Sequence, residues 1–318
     1  MARVGPHAAS APPAPARLAA LLLVAALAGA CGTSNPSPTP PSPSGSPSPT
    51  ATLEPSPTPA PTPSPTSSPA TAGPAASPLP PGVVPCPGTV ARGHPTGTSA
   101  SARSSNWSGY VVTSRAQQFS CVEGTWKQPS VDCPSRGVRT VSYWVGIGGV
   151  GQEALEQIGT QTECAGGRAI VVAWHESLPR ERAEVTEPLD VRPGDTVWAQ
   201  VRWLSGAAYR LTLVDITHPV QFSVRDSNAT LRRTSAEWIV EAPTGGCPDS
   251  CHVLSMPDFG RFKFSGTWVT AADVRAPLDG SGFTHERETM ITRKGLVRSV
   301  VSSTAPDGSS FTVVWKRP

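Results

Sequence analysis

The chain has 318 residues, of which 37 are proline and 15% are charged, and its formal net charge is +3. This small excess of positive charge comes without a basic stripe interleaved with aromatic residues, which argues against nucleic acid as a partner. The length allows one sizeable folded core, and we expect a monomer with a single folded domain.

The first 31 residues have the pattern of an export signal. Arg3 and Arg17 precede a run of Leu, Ala and Val over residues 18–28, and small residues follow at 29 and 30. This pattern is typical of a secretory signal peptide and is too short to span a bilayer comfortably. Cys31 follows the sequence LAGA, which resembles a bacterial lipoprotein box, so lipidation of Cys31 and plain removal of the signal peptide both stay open. Both predict an extracellular or cell-surface protein, with a membrane tether in the first case.

Residues 32–82 are mostly Pro, Ser, Thr and Ala, with almost no large apolar side chain. Such a segment cannot bury enough surface to offset the entropy of ordering it. We therefore predict a long disordered linker that acts as a stalk for the domain formed by residues 83–318.

Residues 83–318 have the pattern of an all-β domain. Apolar and polar side chains alternate in several short segments, which include residues 197–203, 211–216, 220–224, 262–264 and 311–315. Turn sequences separate them, as in PGD at 193–195 and PDG at 306–308. We find no convincing amphipathic helix after residue 100, so the pattern predicts antiparallel strands in a sandwich or barrel.

Six cysteines fall in this domain, at positions 86, 121, 133, 164, 247 and 251. An even number in an exported chain predicts disulfides, although the sequence does not fix their pairing beyond showing that Cys247 and Cys251 are close enough to close a small loop. A metal site is disfavoured because there is no paired C-x-x-C and His252 lacks a second histidine at ligand spacing.

Common hydrolytic motifs are missing from the sequence. It has no G-x-S-x-G, no H-E-x-x-H and no DTG or DSG, and the pairs His175-Glu176 and His285-Glu286 lack a second histidine. These absences argue against metal catalysis.

Several spaced motifs occur in an order that resembles the glutamic peptidase (eqolisin) family. They are NWSGY at 106–110, WVGIGG at 144–149, LEQIGT at 155–160, AWHESLP at 173–179, AEWIVE at 236–241 and PDFG at 257–260. The resemblance implies an antiparallel two-sheet β-sandwich, curved in the manner of concanavalin-like or jelly-roll folds. It also implies an acid endopeptidase that acts on proteins or peptides without a metal or a cofactor.

The resemblance also implies the site residues. It assigns the catalytic roles to Gln157 and Glu241, with Trp144, Trp174 and Glu176 lining the substrate cleft. Gln157 is preferred over Gln161 because Gly159 follows it at the family's spacing. Glu241 is preferred over Glu237 because it follows the sequence Trp-Ile-Val.

Elementary chemistry makes this pair intelligible. Hydrolysis of an amide by water needs a group that removes the water's proton and later protonates the leaving amine, and a donor for the developing oxyanion. A glutamate carboxyl with an ordinary pKa of about 4.3 performs the first task best in acid, near pH 4. A glutamine amide is a hydrogen-bond donor at every pH and suits the second.

Some positions depart from the family pattern. Where the family has an aromatic-rich WYEWY, this sequence has WHESL at 174–178, and Gly148 and Gln161 occupy positions that are often acidic. These differences affect the expected specificity rather than the dyad. Nine tryptophans also suit a sugar-binding platform, so the alternative is a non-catalytic, lectin-like module on a stalk.

Overall fold

The computed structural model describes residues 79, 81, 83–91, 98–114, 116–246, 251–280 and 282–318. The predicted signal peptide over residues 1–31 lies outside these residues, as does the predicted linker over 32–82 apart from residues 79 and 81. The described part of the chain contains β-strands and no helix, which confirms the all-β prediction. It therefore holds no helix long and apolar enough to cross a membrane.

The strands follow one another along the chain with short connections. They are β1 (Thr89–Val90), β2 (Thr98–Ser104), β3 (Trp107–Thr113), β4 (Phe119–Lys127), β5 (Arg139–Gly148), β6 (Leu155–Ala165), β7 (Arg168–Leu178), β8 (Ala183–Val185), β9 (Thr196–Ser205), β10 (Ala208–Asp215), β11 (Val220–Ser227), β12 (Ser235–Glu241), β13 (Thr244–Gly245), β14 (His252–Val253), β15 (Arg261–Ala271), β16 (Val274–Pro277), β17 (Thr284–Ile291), β18 (Val297–Val301) and β19 (Phe311–Trp315).

Seventeen of the described strands form one nearly closed hydrogen-bonded sheet, and β13 and β14 pair separately. We distinguish two runs of neighbouring strands in it. The first run has the order β8, β7, β6, β5, β12, β3 and β17, and the second has the order β18, β19, β15, β4, β9, β10 and β11. The two runs meet where β17 pairs with β18.

Two pairings differ from the predicted antiparallel arrangement, because β1 pairs with β16 and β2 pairs with β17 in parallel. For β2 the reason is geometrical. The chain reverses between β2 and β3, and these two strands flank β17 on its opposite sides. Since β3 is antiparallel to β17, β2 must be parallel to it.

The main hydrophobic core lies between the two runs. Tyr143 of β5 stacks on Phe262 of β15, with ring centroids 4.4 Å apart. The indole N–H of the fully buried Trp238 in β12 donates to the carbonyl of Glu123 in β4 at 2.8 Å. Each large apolar side chain buried in this way contributes about 1.5–3 kcal/mol of transfer free energy. This core holds the strands that carry the candidate site.

Two disulfides are present among the described residues and confirm the prediction that the cysteines pair. Cys86 bonds to Cys121 and Cys133 bonds to Cys164, closing loops with sequence separations of 35 and 31 residues. Cys251 is also disulfide-bonded, whereas Cys247 lies outside the described residues. Cross-links of this kind typically contribute about 2–4 kcal/mol each by restricting the unfolded chain.

Candidate active site

The strand period of two creates a second face on the first run. In β5, Val141, Tyr143 and Val145 point into the main core. Ser142 and Trp144 therefore point to the opposite side of the sheet. On that side a smaller apolar cluster forms a floor, and its buried members are Val111, Trp144, Leu155, Trp174, Leu178 and Ile239.

Strand register places the predicted dyad on this second face. Gln157 of β6 lies opposite Gly146 of β5, and Glu241 of β12 lies opposite Ser142 of β5. Gly146 suits the close packing of the floor, since a Cβ there would lie 2.9 Å from Leu155 Cδ1 and 3.0 Å from Trp144 Cζ3. One strand thus separates the two predicted catalytic residues, and both project to the same side.

A cavity of about 410 Å³, counted with its opening to solvent, lies on this face. Its lining residues are Trp107, Ser142, Leu155, Gln157, Gln161, Trp174, Glu176, Leu178, Arg182, Glu241, Pro243 and Thr244. Polar and charged side chains thus converge beside apolar and aromatic ones, an arrangement typical of ligand sites.

Glu241 is held by neutral hydrogen-bond donors. Trp144 Nε1 donates to its Oε2 at 2.8 Å, and Asn106 Nδ2 donates to its Oε1 at 3.0 Å. Burial raises the pKa of Glu241 to about 7, against the opposing effect of the donors on Trp144, Trp107 and Asn106. A carboxyl group with this pKa can both accept and return a proton near neutrality.

Gln157 and Glu176 face each other across β6 and β7 and are both buried. Gln157 Nε2 donates to Glu176 Oε2 at 2.5 Å, while Gln157 Oε1 and Glu176 Oε1 have no hydrogen-bond partner. Burial and, to a smaller extent, the negative charge of Glu241 raise the pKa of Glu176 to about 8. The two carboxyl groups are therefore electrostatically coupled, and the amide oxygen of Gln157 is left without a hydrogen-bond partner.

Tryptophans line one side of the cavity. The rings of Trp107 and Trp144 meet edge to face with centroids 5.1 Å apart. Trp174 Nε1 is buried without a partner, and the guanidinium carbon of Arg182 lies 6.0 Å from the centroid of the Trp174 ring. These rings limit the access of water to the Glu241 carboxyl group, which is consistent with its raised pKa.

The alternatives to the dyad residues have different surroundings. Gln161 uses both ends of its amide, because its Oε1 accepts from Ser142 Oγ at 2.8 Å and its Nε2 donates to Glu163 at 2.6 Å. Glu237 is fully buried and is not among the residues that line the cavity. The geometry therefore favours Gln157 and Glu241 over Gln161 and Glu237.

Potential metal ligands lie elsewhere. In the described part of the chain, Asp195, Asp215 and His218 form the one group with ligand atoms within 4.8 Å of one another. His218 Nδ1 is 2.9 Å from an oxygen of Asp215, so these side chains bond each other. None of the three lines the cavity, and neither do His175 and His285.

Comparison with known proteins decides the family. Residues 105–315 match the model of the peptidase A4 family. The chain belongs to the peptidase A4 family. It is thus a hydrolase of the glutamic-peptidase type, which favours a peptidase over the lectin-like module.

Solved peptidase structures resemble this peptidase A4 member in fold. Scytalido-glutamic peptidase, solved with a peptide-based transition-state analogue, is 23% identical with a TM-score of 0.57, over 67% of this chain and 98% of that chain. SCP-B, a member of the eqolisin family solved with the tripeptide Ala-Ile-His, is 23% identical with a TM-score of 0.54 over the same shares. No curated protein sequence matches the chain significantly.

The fold of this family member brings the predicted site residues together. Gln157, Glu241, Trp174 and Glu176 line the cavity, and Trp144 lies in its floor and bonds Glu241. Their catalytic and binding roles remain predictions.

Several other residues at the site have no role in the sequence analysis, among them Asn106, Trp107, Ser142 and Arg182. Asn106 and Trp107 begin the first motif, so the motif pointed to this region of the chain but not to a role for either residue. Arg182 lies beyond the motif at 173–179, and no pattern in the sequence singles it out.

Proposed function

We propose that this protein is an extracytoplasmic endopeptidase that hydrolyses peptide bonds with a dyad of Gln157 and Glu241. The observation that carries the proposal is that both side chains line one cavity in a member of the peptidase A4 family. Protein or peptide substrates are expected because relatives of the same fold were solved with a peptide-based analogue and with a tripeptide.

In this mechanism Glu241 acts first as a base and then as an acid. It removes a proton from a water molecule as the water oxygen attacks the scissile carbonyl carbon, and the carbonyl electron pair moves to the oxygen. When the C–N bond breaks, Glu241 returns the proton to the leaving nitrogen. Water is thereby added across the amide without a covalent intermediate on the protein.

Gln157 supplies the oxyanion donor. One N–H of its amide is held by Glu176, which leaves the second N–H and the unpartnered carbonyl oxygen for the substrate and the attacking water. Glu176 acts here as a positioning residue, because its hydrogen bond fixes the orientation of the Gln157 amide. A donor fixed in advance stabilises the developing charge without reorganising during the reaction.

The extracytoplasmic setting is proposed from the signal pattern of residues 1–31, and the two disulfides are consistent with an oxidising compartment. A lipid anchor at Cys31 and a monomeric state belong to the same proposal. We further propose that the two strand runs form the layers of a curved sandwich that carries the cleft.

The experiment compares Glu241→Gln with Glu237→Gln. Both remove one carboxyl group from the same face of β12, but only Glu241 lines the cavity. Cleavage of denatured casein is followed from pH 4 to 8 with pepstatin and a chelator present, and circular dichroism checks the fold. We expect Glu241→Gln to abolish cleavage and Glu237→Gln to retain it.

Persistent cleavage by a folded Glu241→Gln variant refutes the role of Glu241. Binding of glycans by the wild type without cleavage of casein at any pH favours the lectin-like alternative.

A further inference from the structure

Arg182 is the one basic side chain among the residues that line the cavity. It lies between β7 and β8, and its side chain is only 13% exposed. Because its guanidinium carbon lies 6.0 Å from the centroid of the Trp174 ring, an aromatic wall and a fixed positive charge occur side by side.

The guanidinium of Arg182 is only partly used by the protein. Nη2 lies 3.0 Å from Glu184 Oε1 and 3.8 Å from Glu163 Oε1. Nη1 is buried and has no hydrogen-bond partner. The two glutamate side chains are 49% and 35% exposed, and ion pairs at such positions contribute little. Folding alone therefore leaves a charged donor unsatisfied at the cavity.

Arg182 also acts on Glu176, the hydrogen-bond partner of Gln157. Burial and the charge of Glu241 together raise the pKa of Glu176 to about 8, against the opposing effects of the Gln157 hydrogen bond and the Arg182 charge. Since Glu176 bonds Gln157, the positive charge lies close to the place where the peptide bond is to be cleaved.

We propose that Arg182 forms a subsite for a carboxylate of the substrate peptide. The inference rests on the proposed peptidase function and specifies its substrate class. The carboxylate belongs to an acidic side chain at one fixed distance from the scissile bond. Nη1 donates to the carboxylate, and the Trp174 ring packs against the aliphatic part of the same residue.

Cleavage-site profiling of a mixed peptide library at pH 6.5 tests the inference with the full chain. At this pH a peptide carboxyl with an ordinary pKa near 4 is ionised. We expect Asp and Glu to be enriched at a single position. Matched peptides with Glu or Gln at that position should differ about tenfold or more in kcat/KM. A ratio near one, or enrichment of Lys and Arg instead, overturns the proposal.

Variants separate recognition from a structural effect. Arg182→Met should bring the Glu-to-Gln ratio close to one while the Gln peptide is still cleaved, and Arg182→Lys should restore part of the ratio. Arg180→Met is the matched control, because Arg180 pairs with Asp226, is 54% exposed and does not line the cavity. An unchanged ratio in Arg182→Met, or an equal loss in Arg180→Met, contradicts the assignment.

Two further experiments test whether the recognised carboxylate belongs to a side chain, and whether the subsite exists independently of the proposed activity. Peptides with a C-terminal amide should keep the preference for Glu over Gln, and cleavage that depends on a free C-terminus but not on the Glu side chain contradicts the proposal. Binding of the Glu and Gln peptides is measured in parallel by calorimetry. If no peptide is cleaved, the proposed function fails. The subsite is judged separately from binding: tighter binding of the Glu peptide that depends on Arg182 supports it, and equal binding of the Glu and Gln peptides refutes it.

Discussion

Trp144 donates its indole N–H to Glu241 Oε2 at 2.8 Å, across the adjacent strands β5 and β12. The bond joins the floor of the cavity to the carboxyl group proposed to activate water. Because a donor to a carboxylate stabilises its ionised form, this contact opposes the effect of burial on the pKa of Glu241.

Replacing Trp144 by Phe should raise the pKa of Glu241 further. Loss of a hydrogen bond to a charged group corresponds to about one pKa unit or more. We expect the acidic limb of the kcat/KM profile to move to higher pH and the rate below that limb to fall about tenfold. Trp174→Phe is the control, because Trp174 Nε1 has no partner. A limb that stays in place in Trp144→Phe, or moves equally in both variants, contradicts this account.

The wild-type pH profile should peak well above pH 4. Burial raises the pKa of Glu241 to about 7, and a general base must be ionised before it reacts. At pH 4 such a group would be ionised in only about one molecule in a thousand, so kcat/KM should rise with pH through this range.

At higher pH the same profile should level off or fall as the second carboxyl group ionises, since Glu176 has a pKa of about 8. The observed values belong to the coupled pair rather than to either residue. The sequence alone predicts an optimum near pH 4, because it does not show the desolvation of Glu241. A maximum of kcat/KM at pH 4 or below in steady-state measurements would show that the pKa of Glu241 lies in its ordinary range and would disprove this prediction.

Local sequence patterns encode the strands of this fold but not the pairing of strands that are distant in the chain. Alternation in segments such as 197–203 predicted β9, because the period of side chains along a strand is local. The parallel pairing of β2 with β17 was not predicted, since it depends on which distant strand is adjacent. Likewise, spaced motifs predicted that Gln157 and Glu241 belong to one site, whereas Arg182 reaches the cavity only through the path of the chain after β7.

Gln157→Ala should reduce kcat about 100- to 1,000-fold, which is the usual effect of removing one oxyanion donor. Gln161→Ala is the control on the same strand, because the Gln161 amide is already bonded to Ser142 and Glu163. We expect it to lower the rate by much less. Single-turnover kinetics with a saturating peptide measure the chemical step. Equal losses in the two variants would indicate a general disturbance of β6 rather than a role for the Gln157 amide.

Glu237 should make the stability of the protein depend on pH. Its side chain is fully buried, and neither carboxylate oxygen has a hydrogen-bond partner. Burial raises the pKa of Glu237 well above its ordinary value of 4.5, and the nearby Ser235 hydroxyl offsets only part of this. Above pH 4.5 the unfolded chain therefore loses this proton while the folded chain keeps it. The free energy of unfolding consequently falls as pH rises, by up to about 1.4 kcal/mol per pH unit until the folded pKa is reached.

Glu237→Gln removes this dependence, because glutamine has the same shape and does not titrate. The free energy of unfolding of the variant, relative to that of the wild type, should therefore be higher at pH 7 than at pH 5, which urea unfolding at the two pH values measures. Glu184→Gln serves as the control, since its side chain is 49% exposed, and it should leave the difference between the two pH values unchanged. Other buried carboxyl groups contribute equally to the wild type and to both variants, so they cancel in the comparison. If the free energy of unfolding of Glu237→Gln changes between the two pH values by the same amount as that of the wild type, Glu237 is ionised in the folded protein. That result would require a partner for its charge that the structure does not provide.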